Sequence, residues 1–505
     1  MKKYKEVEST RQEYHKDPNI NSVHRSSLIV PEILGTEVDI SFLNHFLLKR
    51  NYSKVACKIT PIDNYGQKIE SRLYTIDKPI VYKIPLTGMV DKPVSSYLVE
   101  FFAADNLFIP FPAVMINHKG KGFINQVHSY NRVLNDVFED DVINSTQVSE
   151  ASIDLILENN TDTFLLFSAG PTHIRGPLEI EILTDKEKTL RRIHNVDLVR
   201  FGTKKISMRE TFKDIPNGVK GVLKVKQPRQ FLFYGRMLGG QYLNDGAFSA
   251  NHSYYDSSTV PDYWDDNKSS QRFYPFFCGL NNIIRMYPIM SPSNLNLSIG
   301  LYATDGSLLK EVPIGVLTSP GNHYLNVLIN SVAKQENIDS KQICSFSVSA
   351  RTTTNGKMPT RVNHQLIYGN GGLNTSINIS LNNPNVFVPK DKKSFKWGQT
   401  IVGRDYDTFV GIVADPSENV NIKYHDVIVK FYGSEGEIAQ RNWHIPNGSS
   451  INFEVGKELL MELEKLKINT PQYIWCTVES ENYGINYVTT TYNKITKHCS
   501  GEHGF

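Results

Sequence analysis

A hairpin written four times constrains this chain more than any other feature of its sequence. An alternating run leads into a turn with Gly or an acidic residue at 55–59 with 63–66, 178–183 with 184–186, 297–302 with 304–306, and 427–432 with 434–436. Alternation with period two puts one face of each strand on a core, and the Gly of such turns supplies the positive φ a tight reversal needs. Apolar runs closed by proline turns precede three of the hairpins (164–171, 286–292 and 410–416), and a further strand follows each, at 97–101, 222–225, 344–348 and 473–478. Short strands at regular spacing point to sandwiches rather than to a helix-flanked parallel sheet. The clearest helical periodicity, 458–466, is confined to the fourth repeat. The expected fold is therefore all-β, a tandem array of four immunoglobulin-like antiparallel β-sandwich domains with little helix.

The repeats place these domains at 27–135, 148–260, 270–383 and 385–505, after a flexible N-terminal arm at 1–26. Each has the size of one independent sandwich. Polar segments at 138–141, 265–268 and 382–385 read as linkers. On this reading the domains form a semi-rigid rod that displays loops at fixed intervals.

Composition narrows the function. A net charge of +3 over 505 residues is too small for a phosphate-tracking surface, so nucleic acid is not an expected partner. No apolar run reaches the roughly 20 residues that cross a bilayer, and no apolar segment follows Met1-Lys2-Lys3 as a Sec signal requires. The expectation is a cytoplasmic chain without a membrane span, other export routes being left open. Five widely spaced cysteines read as reduced thiols, mostly in cores. Phosphate-loop, His-Glu-x-x-His, Cys-x-x-Cys and Gly-x-Ser-x-Gly patterns are missing from the sequence.

One polar feature recurs. A histidine follows each hairpin turn at similar distance: His128, His252, His364 and His503 lie 62, 66, 58 and 67 residues after Gly66, Lys186, Gly306 and Gly436. Such a residue can staple a last strand through a carbonyl, or line a site where sandwich loops gather. The second repeat is richest, with Asn251, His252, Tyr254, Tyr255, Asp256, Trp264 and Asp265 close together, mixing ring faces with donors and acceptors. One histidine per domain does not supply the three ligands of a zinc site. The set His498, Cys499, Glu502 and His503 is nearer in composition, but on a final segment expected to be flexible. Neither metal nor cofactor is expected. The leading functional expectation is a non-catalytic multidomain binding or scaffold protein with a glycan or protein partner. Two alternatives stand beside it: an enzyme with an inter-domain site using His252 with Asp256 or Asp265, and a structural assembly that self-associates through edge strands.

Overall fold

The computed structural model describes residues 23–103, 112–128, 131–133, 149–184, 186, 188–229, 234–255, 264–266, 268–287, 293–318, 324–354, 356–359, 361–382, 392–418, 421–465 and 470–505. The first set of strands is β1 (Val23–Pro31), β2 (Glu37–Leu43), β3 (Val55–Ile62), β4 (Arg72–Ile76), β5 (Val81–Pro85), β6 (Ser96–Ala103), β7 (Met115–Gly120) and β8 (Phe123–His128). They form two antiparallel sheets in the orders 1-6-3-4 and 5-2-7-8. Three further sets, starting at Ser149–Leu157, Ser269–Pro275 and Ser394–Val402, repeat both orders strand for strand. The fourfold hairpin is the pairing of third and fourth strands in each set. Gly66, Gly306 and Gly436 take the positive φ its turns require.

The fold is all-β and built of sandwich-like units. Its strand order is not the ABED and CFG order of immunoglobulin constant domains, because the first strand pairs with the sixth and the second with the seventh. Each pair of sheets closes on apolar residues from both layers, as with Leu155, Leu165, Leu178 and Leu223 in the second unit and Val410, Val429 and Cys476 in the fourth. Among the described residues helix is confined to short pieces, including Leu460–Lys465 within the segment of helical periodicity. Leu466 lies outside the described residues.

The units do not form a rod. The 1-6-3-4 sheet of each meets the 5-2-7-8 sheet of the next, or the turn leading into it, and the fourth unit closes onto the first. Between units one and two, Ser96 Oγ donates to the Phe201 carbonyl at 2.6 Å, above a cluster of Ile29, Ile62, Leu98 and Phe201. Between two and three, Leu183 and Val222 pack on Tyr287. Between three and four, Phe273 N–H donates to Asp415 at 3.1 Å and Asn452 Nδ2 to the Cys344 carbonyl at 2.8 Å. Between four and one, Tyr473 Oη donates to Asp39 at 2.9 Å and Gln399 Nε2 to Asn117 at 2.7 Å.

The segments expected as linkers are drawn into this body. Trp264–Asp266 pairs as a short strand with Lys357–Pro359, and Asn382 Nδ2 donates to Asp415 and Ser417 at 2.9 Å each. Asn131–Val133 and Tyr234–Gly235 extend the first unit's sheet beyond β1 and join it to the second unit. The segment 138–141 lies outside the described residues, as do 1–22 of the expected arm; the first strand begins at Val23.

Trp475, wholly buried, donates its indole N–H to Ser41 Oγ at 2.8 Å across the closing junction. Replacing Ser41 by Ala strands that donor, and the expected loss is about 1–3 kcal/mol of stability. Urea unfolding measures it, and adding Trp475→Phe, which removes the donor, should leave no further hydrogen-bond penalty from Ser41→Ala.

Candidate functional site

The shape of the body explains where its polar residues gather. The eighth strands, Phe123–His128, Phe248–His252, Ile377–Ser380 and Cys499–His503, touch in sequence around the middle of the ring. Each would be a bare sheet edge in an isolated sandwich. Here the edges cover one another, which removes a template for unwanted strand addition. Side chains lace them together: Ala250 N–H donates to Asn125 Oδ1 at 2.7 Å, Gln126 N–H to Ser500 Oγ at 2.8 Å, and Ser249 Oγ to the Cys499 carbonyl at 3.1 Å. Small and polar residues buried in these strands are thus used across unit boundaries.

His128, His252 and His503 are the last residues of three of these strands. With Glu502 they form one cluster in which one ligand-capable atom from each residue lies within 4.8 Å of the others. The His128 ring packs at 4.4 Å from His252 and 5.0 Å from His503, centroid to centroid. Glu502 is buried; one carboxylate oxygen accepts the His128 backbone N–H at 3.1 Å and the other lies 3.1 Å from His128 Nδ1. Three units supply these groups.

The ring nitrogens are fixed by their neighbours. His252 Nδ1 lies 2.6 Å from the Ser253 carbonyl, a contact that requires a proton on Nδ1. Arg236 Nη1, 3.3 Å from the same nitrogen, is therefore an electrostatic neighbour rather than a donor to it. Nε2 of His252 carries the lone pair, is fully buried, and among the described residues has no hydrogen-bond partner. His503 Nδ1 likewise faces the Gly504 carbonyl at 3.0 Å, leaving Nε2 as its lone-pair nitrogen. Burial, with His128 and Arg236 nearby, holds the His252 pKa well below the usual imidazole range. Burial brings His503 down to about 4. Burial pushes the Glu502 carboxyl up, but His128 beside it outweighs that and leaves it below the ordinary value. Two neutral imidazoles and a carboxylate are metal-ligand forms.

The fourth histidine of the sequence pattern stands elsewhere. His364 belongs to the seventh strand of its unit, Asn363–Gly369, where Nδ1 faces the Val362 carbonyl at 3.1 Å and Nε2 the Tyr274 hydroxyl at 2.5 Å. The third unit reaches the cluster through Asn378, whose Nδ2 donates to the His252 carbonyl at 2.5 Å. Asn251 is buried and its Oδ1 accepts the His252 N–H at 2.6 Å. Tyr254 is half-buried, with the Arg236 guanidinium 4.8 Å from its ring centroid. Tyr255 pairs with Glu150 through the backbone, while Trp264 and Asp265 pair with Pro359 and Met358; nothing is described of these three side chains. Asp256 lies outside the described residues.

The sequence argument against a metal, one histidine per unit, no longer applies once three units converge. Of the terminal set weighed from the sequence, Glu502 and His503 do join a cluster, but with His128 and His252 of other units rather than with His498 and Cys499. The final segment is also not loose: Cys499–His503 pairs along the seventh strand, with Val488 opposite His503. The five cysteines are free thiols, Cys278 exposed and the others buried. Among the described residues, no helix is long and apolar enough to cross a membrane. Compared with known proteins, the chain matches no family model and no curated protein.

Proposed function

We propose that the chain is a non-catalytic binding or scaffold protein, in which four sandwiches lock into one ring and face a glycan or protein partner with their outer hairpins. The observation that carries this reading is the burial of His252. It is 0% exposed, its ring N–H is committed to a carbonyl, and its own backbone carbonyl accepts from Asn378 of the third unit. A general base must reach its substrate, and opening this one would require parting the centre of the ring. The outer hairpins, by contrast, carry exposed apolar side chains in every unit, including Tyr65 and Leu73, Ile193, Leu308, and Tyr424. Growth through edge strands has less support, since the fourth strand of the second unit carries Arg191 and Arg192 and that of the fourth unit carries Arg441 on an outer edge.

The pure chain is expected to turn over none of a panel of ester, glycoside and phosphoester substrates, and to bind a member of a glycan array or a cross-linked protein partner. Turnover that His252→Gln abolishes would defeat the reading in favour of an inter-unit enzyme. Light scattering should give the mass of one chain; concentration-dependent growth would favour the assembly alternative.

A further inference from the structure

We propose that His128, His252, Glu502 and His503 bind one divalent transition-metal ion of the zinc class, which ties the first, second and fourth units together at the centre of the ring. The donor set suits such an ion. Three imidazoles and one carboxylate are borderline nitrogen and oxygen ligands of the kind a tetrahedral Zn2+ takes. With bonds of ~2.1 Å such a site spaces its ligand atoms ~3.4 Å apart, so a cluster already within 4.8 Å needs to contract by ~1.4 Å at its widest.

One ring nitrogen is also orphaned. His128 Nδ1 and the Glu502 carboxylate lie 3.1 Å apart, whereas His252 Nε2 is buried with a lone pair and, among the described residues, no donor. A buried acceptor in that state has lost its hydration with nothing in exchange, and a metal ion removes the deficit. The groups behind the ligands suit a metal as well. Ligating histidines characteristically give their other ring N–H to a carbonyl or carboxylate, which fixes tautomer and orientation. His252 does so to Ser253 and His503 to Gly504. Both rings are thus set with Nε2 as the donor atom. Glu502 adds a buried negative charge where a cation would sit, against the positive charge of Arg236 beyond His252.

Four protein ligands fill a tetrahedral ion, and a closed site of this kind is structural. The ion would hold together eighth strands whose ends come from positions 128, 252 and 503, far apart along the chain. Such an ion at the centre of the ring is independent of any partner bound by the outer hairpins.

The test uses the full chain, stripped with a chelator and titrated with Zn2+, then with Co2+, whose visible absorption reports tetrahedral coordination. One equivalent is expected to bind, to raise the melting temperature, and to slow amide exchange at 125–128, 249–252 and 500–503. His252→Gln, His503→Gln and Glu502→Gln should each weaken binding by about 100-fold or more, in line with the sensitivity of metal sites to ligand and second-shell changes. His364→Gln, the same exchange outside the cluster, should bind as the parent does. A stripped parent chain that takes up neither ion overturns the proposal, and so does stoichiometric uptake that survives all three cluster substitutions. Should a variant fail to fold, the titration of the parent chain still decides. Uptake accompanied by substrate turnover would support the site while overturning the non-catalytic reading.

Discussion

Lowering the pH from 7 to 5 is expected to remove about 4 kcal/mol of stability through two histidines alone. His118 and His364 are both fully buried. Burial brings the folded pKa of His118 down to about 4 and that of His364 to about 3. In the unfolded chain both titrate near 6.5. A histidine depressed in this way contributes stability that is whole above the unfolded value and is lost as pH falls toward the folded one, because only the unfolded chain then binds the proton. Each residue costs about 1.4 kcal/mol per pH unit across that window, so 1.5 units below 6.5 cost about 2 kcal/mol apiece. Neither ring has a carboxylate to hold the charge among its contacts: His118 Nε2 faces the Pro31 carbonyl at 3.4 Å with Nδ1 unpartnered among the described residues, and His364 lies between Tyr274 and Val362. Urea midpoints between pH 7 and 5 measure the slope. Replacing either histidine by Gln should flatten it by about one proton, and an unchanged slope in both variants would show that these residues do not set it.

Arg285→Met should destabilise the junction of the second and third units by about 3–5 kcal/mol. The guanidinium of Arg285 pairs with Asp154, whose carboxylate also accepts the Tyr287 hydroxyl at 3.1 Å. Both charged side chains are mostly out of solvent, at 12% and 5% exposure. Truncating the cation leaves a buried carboxylate with neutral donors only, which is the costly way to break such a pair. Removing both charges is a different experiment. Arg285→Met with Asp154→Leu should recover most of the loss, since a buried pair often contributes little net stability relative to apolar residues of similar size. A double-mutant cycle by denaturant unfolding separates the two. A single variant as stable as the parent would mean that water or a neighbouring group already solvates Asp154.

These two sites also mark what the sequence can convey. The hairpins are legible because the information is local: alternation in 55–59 or 427–432 and a Gly in the turn suffice. The eighth strands are not, since Phe248-Ser249-Ala250-Asn251-His252 is small and polar yet entirely buried. Its residues are spent on other units, and periodicity describes only a strand's own sheet. The repeated histidine was visible from spacing, and the shortest interval, 58 residues, belongs to His364, the copy that falls on the seventh strand instead of the eighth. That the other three meet depends on the ring, and nothing local encodes it. Asp39 and Tyr473 are 434 positions apart, and neither residue's neighbours foretell the other.

Closure of the first unit against the fourth also bears on how the chain is made. During synthesis the face around Asp39 and Ser41 is complete hundreds of residues before Tyr473 and Trp475 leave the ribosome to cover it. For that interval nascent chains on one polysome carry matching halves of an unfinished seam, and a neighbour's fourth unit can dock where the chain's own belongs. Yield in the cell would then depend on translation speed and chaperone supply more than on the stability of the finished molecule.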